Sequence, residues 1–154
     1  MRSATDTSDR ETEGIARLLA PSSIAIIGAS GNPSSIGGKP LHLLQQLGYR
    51  GAIYPVNPKY RELAGIPCFP SIMEIPEAPD LALVAVAASS VPEALARLAE
   101  HKTRAAVVFS GGFGETGAEG ERLQQEIAAL AAQSNVRVLG PNCQGLVNLW
   151  QRVA

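Results

Sequence analysis

The sequence predicts an α/β fold, a single doubly wound domain on a parallel sheet of about five strands. Three observations carry this prediction. Short apolar, β-branched runs alternate five times with segments of helical periodicity. The links between them are short, which favours parallel strands with helices on the sheet faces. Each run also empties into a loop of small or polar residues, beginning with IAIIGAS (24–30) and GNPSSIGG (31–38). Parallel strands point one way, so these loops share one rim, where ligands of this architecture settle.

Taken in order, residues 1–13 are polar, mix both charges and lack the apolar centre of a secretory signal. They read as a disordered tail. The domain is expected over 14–150, and 151–154 as a tail or the truncated start of a following domain. A short helix over 13–19 stops at Pro21. The first strand, 23–27, is apolar almost throughout, as a strand buried on both faces requires. A helix over 36–47 follows, with Leu43, Leu44 and Leu47 on one side, Pro40 in the first turn and Gly48 as its C-cap. The second strand is 52–56. Prolines 58, 67, 70, 76 and 79 then break the chain into loop with short pieces.

The third strand is read as 81–87. In the next helix Ser90 and Glu93 make a capping-box pattern, ahead of a stripe of Val91, Leu95 and Leu98. The fourth strand, 105–109, leads into SGGFGETG (110–117). A helix over about 119–133 should bury Leu123, Ile127, Leu130 and Ala131. The fifth strand, 136–139, opens into GPNCQG (140–145).

Composition excludes several classes. A chain of 154 residues suits one domain and would bury roughly 70% of its unfolded surface. A formal charge of −1 with no Lys/Arg cluster, and only 5% aromatic residues, argue against a nucleic-acid partner. No apolar run approaches the roughly 20 residues of a membrane span. Cys68 and Cys143 lie far apart without a CxxC context, which suits two reduced thiols in a cytoplasmic protein and no metal site.

The rim carries the chemistry. Its Gly, Ser and Asn residues let backbone approach a large ligand closely. The first loop does not match GxGxxG, because Gly28, Ser30 and Gly31 have the wrong spacing, yet it precedes a helix amino terminus suited to a pyrophosphate. At the end of the second strand, a nicotinamide-binding domain would carry an acid. Here stand Val56, Asn57, Pro58 and Lys59. Such a lysine is either a solvated surface cation or the partner of a phosphorylated ribose, as in NADP or coenzyme A.

IAIIGAS, IYPVNPK, PDLALVAVAASSVPEAL, AAVVFSGGFGETGAEG and RVLGPNCQG, in that order, resemble the Rossmann-like CoA-binding domain of the NDP-forming (ADP-forming) acyl-CoA synthetases. The succinyl-CoA synthetase alpha subunit is a more distant relative, and the same module opens some protein lysine acetyltransferases. The likeness runs over about 18–147. It implies coenzyme A or an acyl-CoA as the ligand. Ser30, Gly31, Asn32, Pro33 and Gly37 would receive its phosphates, and Val56, Pro58 and Lys59 its adenosine end. Val86 and Ala87 would flank the pantetheine, although the family's Val-Pro-Ala is here Val86-Ala87-Ala88. Ser110, Gly111, Phe113 and Glu115 would lie near the thiol end, with Asn142 and Cys143 close to the thioester.

Cys143 is read as lining the pocket rather than as a nucleophile, since His42 and His101 both fall off the rim. The family's phosphohistidine and ATP-grasp units would be partner domains, and the isolated domain is expected to catalyse nothing. A regulatory domain of a lysine acetyltransferase and a free-standing CoA- or NADP-binding protein are the alternatives.

Overall fold

In the computed structural model, which describes residues 14–153, five parallel strands form one sheet in the order β2–β1–β5–β6–β7. The expected tail at 1–13 lies outside the described residues. The strands are β1 (Ser23–Ile27), β2 (Ala52–Val56), β5 (Leu81–Val84), β6 (Ala105–Val108) and β7 (Arg137–Leu139). A two-stranded hairpin, β3 (Glu62–Leu63) with β4 (Ile66–Pro67), interrupts the proline-rich stretch. The register sets Ile24 beside both Ile53 and Leu81, and Leu81 beside Ala105. Because strand order reverses between β1 and β5, their carboxyl ends diverge into a crevice.

Alternation along the strands divides the core in two. Ile24, Ile26, Leu81, Leu83, Ala105 and Val107 face α2 (Lys39–Gln46) and the carboxyl-terminal segment. Ala25, Ile27, Ala82, Val84, Ala106 and Val108 face α3 (Val91–Glu100) and α4 (Ala118–Gln133). A further helix, α1 (residues 14–19), precedes the sheet. Its Arg17 pairs with Asp80 at 2.5 Å, while Asp80 also accepts the Ser22 amide at 2.8 Å.

Several elements differ from expectation for identifiable reasons. The first helix starts at Lys39 rather than 36, because Ser35 accepts the Gly38 and Lys39 amides and holds the preceding residues in turns. Leu41 and Leu44 are its buried residues, with Leu43 and Leu47 half-buried. Its end is a complete Schellman motif: the Tyr49 amide reaches the Leu44 carbonyl, and the Gly48 amide reaches Gln45. Ser90 makes no capping hydrogen bond, since the 3-10 turn Ala88–Ser90 leaves it in a helical conformation. β5 ends at Val84 rather than 87: the Ala85 amide still reaches the Ile27 carbonyl at 2.9 Å, but the Val86 carbonyl is taken by the Ser110 hydroxyl. On α4 only Ile127 of the expected stripe is fully buried, because β7, the strand at that side, is an edge.

Val153 pairs with Asn148 in an antiparallel bridge and is 2% exposed against the α2-side core. The intervening Leu149 and Trp150 point into solvent.

The turn after β1 depends on contact between backbones. A Cβ on Gly37 would lie 2.0 Å from the Gly28 carbonyl oxygen. Gly28 itself has φ +84°, and a Cβ there would stand 2.5 Å from the Ala85 carbonyl. The Gly37→Ala variant is therefore expected to lose more than about 2 kcal/mol of unfolding free energy. Urea unfolding followed by far-UV circular dichroism checks this; an unchanged midpoint would show that the loop can move aside.

Candidate functional site

The crevice at the switch point has a volume of about 900 Å³. Its floor is Ile27, Gly28, Val56 and Ala85, the carboxyl ends of β1, β2 and β5. One wall comes from the end of β2 and brings Pro58 and Lys59. Asn57 fixes that wall: its side chain donates to the Ala29 carbonyl at 2.8 Å and accepts the Lys59 amide at 3.0 Å. A second wall, residues 70–73, is held along β2 by the Val56–Phe69 bridge, and Tyr54 packs edge-on against Phe69 at 5.9 Å. The Tyr54 hydroxyl donates to Glu77 at 2.6 Å, and burial followed by this carboxylate pushes the phenol up to about 12. The third wall is α3, which presents Ser90, Glu93 and Arg97.

Val86 and Ala87 also line a smaller hollow of about 310 Å³ with Ser110, Gly111 and Ile36. This hollow continues the crevice along the rim. The Ser110 hydroxyl donates to the Val86 carbonyl, so it ties the loops after β5 and β6 together. The Asn142 amide donates to the Ser110 carbonyl at 2.9 Å, which brings in the loop after β7. Glu115 closes the 110–117 loop on itself by accepting the Gly112 amide at 2.6 Å. That bond, then its own amide and that of Phe113, hold its carboxyl below the usual glutamate range.

Beyond Ile36 lies a third space of about 170 Å³, beneath the α2-side face of β5 and β6. Cys143 opens onto it, with its sulfur 3.3 Å from the Gly145 amide. His42 lies on the far side of α2, and His101 bonds through Nε2 to the Ile75 carbonyl at 3.1 Å, so neither reaches Cys143. Burial pushes the Cys68 thiol up, and both cysteines are free.

The structure brings Val56, Pro58, Lys59, Val86, Ala87, Ser110 and Gly111 onto one trough, with Asn142 beside it and Cys143 at its end. The first loop is only partly there. Ser30, Gly31 and Pro33 line a separate depression on the outer side of α2, and Asn32 is engaged within the loop, bonding Ser34 and Ser35. The helix end is also less open than expected, since Ser35 already accepts the Gly38 and Lys39 amides. Among the described residues, the Gly31, Ile36 and Gly37 amides meet no protein acceptor. Phe113 corrects the sequence reading: it is 0% exposed in the α3/α4-side core, so its ring cannot line the rim.

Asn57, Arg97 and Ile36 belong to the trough and were not read from the sequence as site residues. For Asn57 the signal was the Asn-Pro pair after a strand, a turn former whose side chain bonds two residues on. Arg97 follows Ser90 and Glu93 at helical spacing on one face. Among the described residues no helix is long and apolar enough to cross a membrane, and no cluster of three His, Cys, Asp or Glu could hold a metal.

The CoA binding domain model matches residues 22–148. The chain belongs to the CoA-binding domain family. It is 42% identical over 132 residues to the ADP-forming acetate–CoA ligase I of Archaeoglobus fulgidus, covering 86% of this chain and 19% of that protein. A trans-feruloyl-CoA synthase from an unknown prokaryote is likewise 42% identical, over 90% of this chain and 20% of its own length. The dinucleotide-forming acetyl-coenzyme A synthetase 1 of Ca. Korarchaeum cryptofilum, solved with phosphate and ADP, superimposes with a TM-score of 0.86 at 35% identity, over 92% of this chain and 30% of that one. The CoA-binding domain thus spans about a fifth of the length of the curated relatives it matches.

Two outcomes follow from the loop geometry. Ala87 has φ −57° and ψ 147°, values that proline adopts without strain. Ala87→Pro should therefore raise stability by about 0.4–1 kcal/mol by restricting the unfolded chain; a lower urea midpoint would contradict this. For Glu115, a carboxyl held below its unfolded value stabilises the loop at neutral pH. That stabilisation is lost as pH falls through the depressed folded value. The Gly112 amide resonance should track this transition below the ordinary glutamate range, and Glu115→Gln should abolish the pH dependence without altering the fold.

Proposed function

We propose that this chain is the coenzyme-holding domain of an ADP-forming acyl-CoA synthetase. The observation that carries the reading is the asymmetry of the trough: Lys59 and Arg97 flank its wide end, and small residues line its narrow continuation. Coenzyme A has that form, with a phosphorylated adenosine at one end and a slender thiol arm at the other. Lys59 and Arg97 would take the 3′-phosphate, as bonds to charged groups are the strong ones. The acceptor-free Ile36 and Gly37 amides suit the diphosphate, for which backbone N–H groups are ready donors. Val86, Ala87, Ser110 and Gly111 would flank the pantetheine, with Asn142 and Cys143 at the thiol. Glu115 would act at one remove, by holding the 110–117 loop closed.

The reaction of the whole enzyme converts acyl-CoA, ADP and phosphate to the free acid, CoA and ATP. In this reading a phosphohistidine unit and an ATP-grasp unit perform the chemistry. The CoA-binding domain binds and orients the thioester for them and catalyses nothing alone. Exposed Val147, Leu149 and Trp150 offer an apolar contact for these partners. The two free thiols fit a cytoplasmic protein.

Calorimetric titration with CoA, dephospho-CoA, NADP and NAD tests the assignment. CoA should bind best, and loss of the 3′-phosphate should weaken it. Lys59→Ala should cost on the order of 1–3 kcal/mol towards CoA while barely changing dephospho-CoA, with Arg97→Ala acting in the same direction. Tighter binding of NADP than of CoA would point to a free-standing dinucleotide-binding protein instead.

A further inference from the structure

The three spaces along the rim form an ordered series. The wide crevice and the middle hollow share Ala85, Val86 and Ala87, and the middle hollow and the inner cavity share Ile36. Polarity changes along this series. Lys59 and Arg97 stand at one end. At the other, the lining is mainly apolar, with Leu43, Leu81, Leu83, Phe109, Leu146 and Val153, and its polar side chains are those of Ser34, Ser35, Lys39, Cys143 and Gln144. Ile36, 61% exposed at the junction, places an apolar side chain in a loop otherwise made of Gly, Ser, Asn and Pro.

We propose that the inner cavity holds the acyl group of a bound acyl thioester and selects a compact aromatic or branched hydrocarbon group. The inference rests on the assignment of CoA to the trough. With the phosphorylated adenosine at Lys59, the thiol lies at the opposite end, beside Ile36 and the cavity mouth. An apolar void of about 150 Å³ is large enough for benzene, and this one is about 170 Å³. Acetyl would leave most of it empty and its walls without partners, which is the condition that makes cavities unfavourable. A carboxylate carried into it would lose water against a mainly hydrocarbon lining. Lys39 is the cation of that lining.

The test is calorimetric titration of the chain with CoA, acetyl-CoA, isovaleryl-CoA, benzoyl-CoA and succinyl-CoA. Burial of each methylene is worth roughly a factor of four in affinity, so benzoyl-CoA and isovaleryl-CoA should bind at least about tenfold more tightly than acetyl-CoA. Leu43→Trp, a change at a half-buried wall position, should remove that advantage. Should that variant unfold, the fluorine resonance of 4-fluorobenzoyl-CoA gives an independent readout, with cross-relaxation to Leu83 and Phe109 expected. Equal affinity for CoA, acetyl-CoA and benzoyl-CoA would overturn the acyl cavity and leave the CoA assignment standing. Tightest binding of succinyl-CoA would overturn it in favour of selection by Lys39. If CoA itself failed to bind, the assignment of the trough would fall, and the acyl cavity with it.

Discussion

The close approach of three backbones at the end of β1 governs the rest of the structure. The Gly28 carbonyl lies against Gly37, and Gly28 itself lies against the Ala85 carbonyl. Side chains at either position would push the first loop away from the sheet and the loop after β5 away from β1. Two consequences follow from the contact. The Gly28 and Ala29 amides can reach the Val56 carbonyl at 2.9 and 3.2 Å, so the end of β2 is drawn to the same place. Asn57 then bonds Ala29 and positions the Lys59 backbone. The cation after β2 and the turn that begins at Gly28 are thus held at one crevice through a chain of short, mostly backbone, contacts.

The second organising feature is the graded polarity of the rim. Charges sit where the trough is wide and wet, so their desolvation is small and a bound phosphate gains a charged partner. Hydrocarbon dominates the lining of the far end, with Lys39 as its cation. Between them, hydrogen bonds join the loops after β5, β6 and β7 through Val86, Ser110 and Asn142. A ligand spanning the trough therefore touches loops from all five strands. Its binding should order them together, because each loop is already tied to its neighbour.

How much of this was legible in the sequence differs by element, and the differences have physical causes. β1 and the sheet class were readable because buried parallel strands must be apolar on both faces. Helix edges were less readable. The Ser90/Glu93 pattern matches a capping box, but a tertiary constraint, the 3-10 turn at Ala88–Ser90, removes the geometry the cap needs. The stripe on α4 has the right period, yet period says nothing about whether a neighbour exists to cover it, and β7 is an edge. In the site, Lys59 stood out because its strand-end position contradicts the acid of a nicotinamide domain. Arg97 did not, because an exposed arginine on an amphipathic helix is ordinary until the crevice beside it is seen. Phe113 was placed near the thiol end through the family resemblance alone, and the fold turns its ring into the core.

The same geometry limits what this chain can do chemically. Acid–base or nucleophilic work at the thiol end would need a titratable group poised near neutrality beside the reacting atoms. His42 and His101 are carried away from the trough, one to the outer side of α2 and one against the Ile75 carbonyl. Glu115 is engaged by the Gly112 amide and held as a carboxylate, which makes it a loop closure rather than a proton donor. Cys143 lines the far space of the trough, and its sulfur has backbone partners at Gly145 and hydrocarbon beyond. Lys59 and Arg97 sit at the opposite end of the trough. In the reading proposed above, the trough would supply binding energy at a distance from the reacting atoms. Binding energy of that kind accelerates a reaction only when it is spent on orienting the reacting groups.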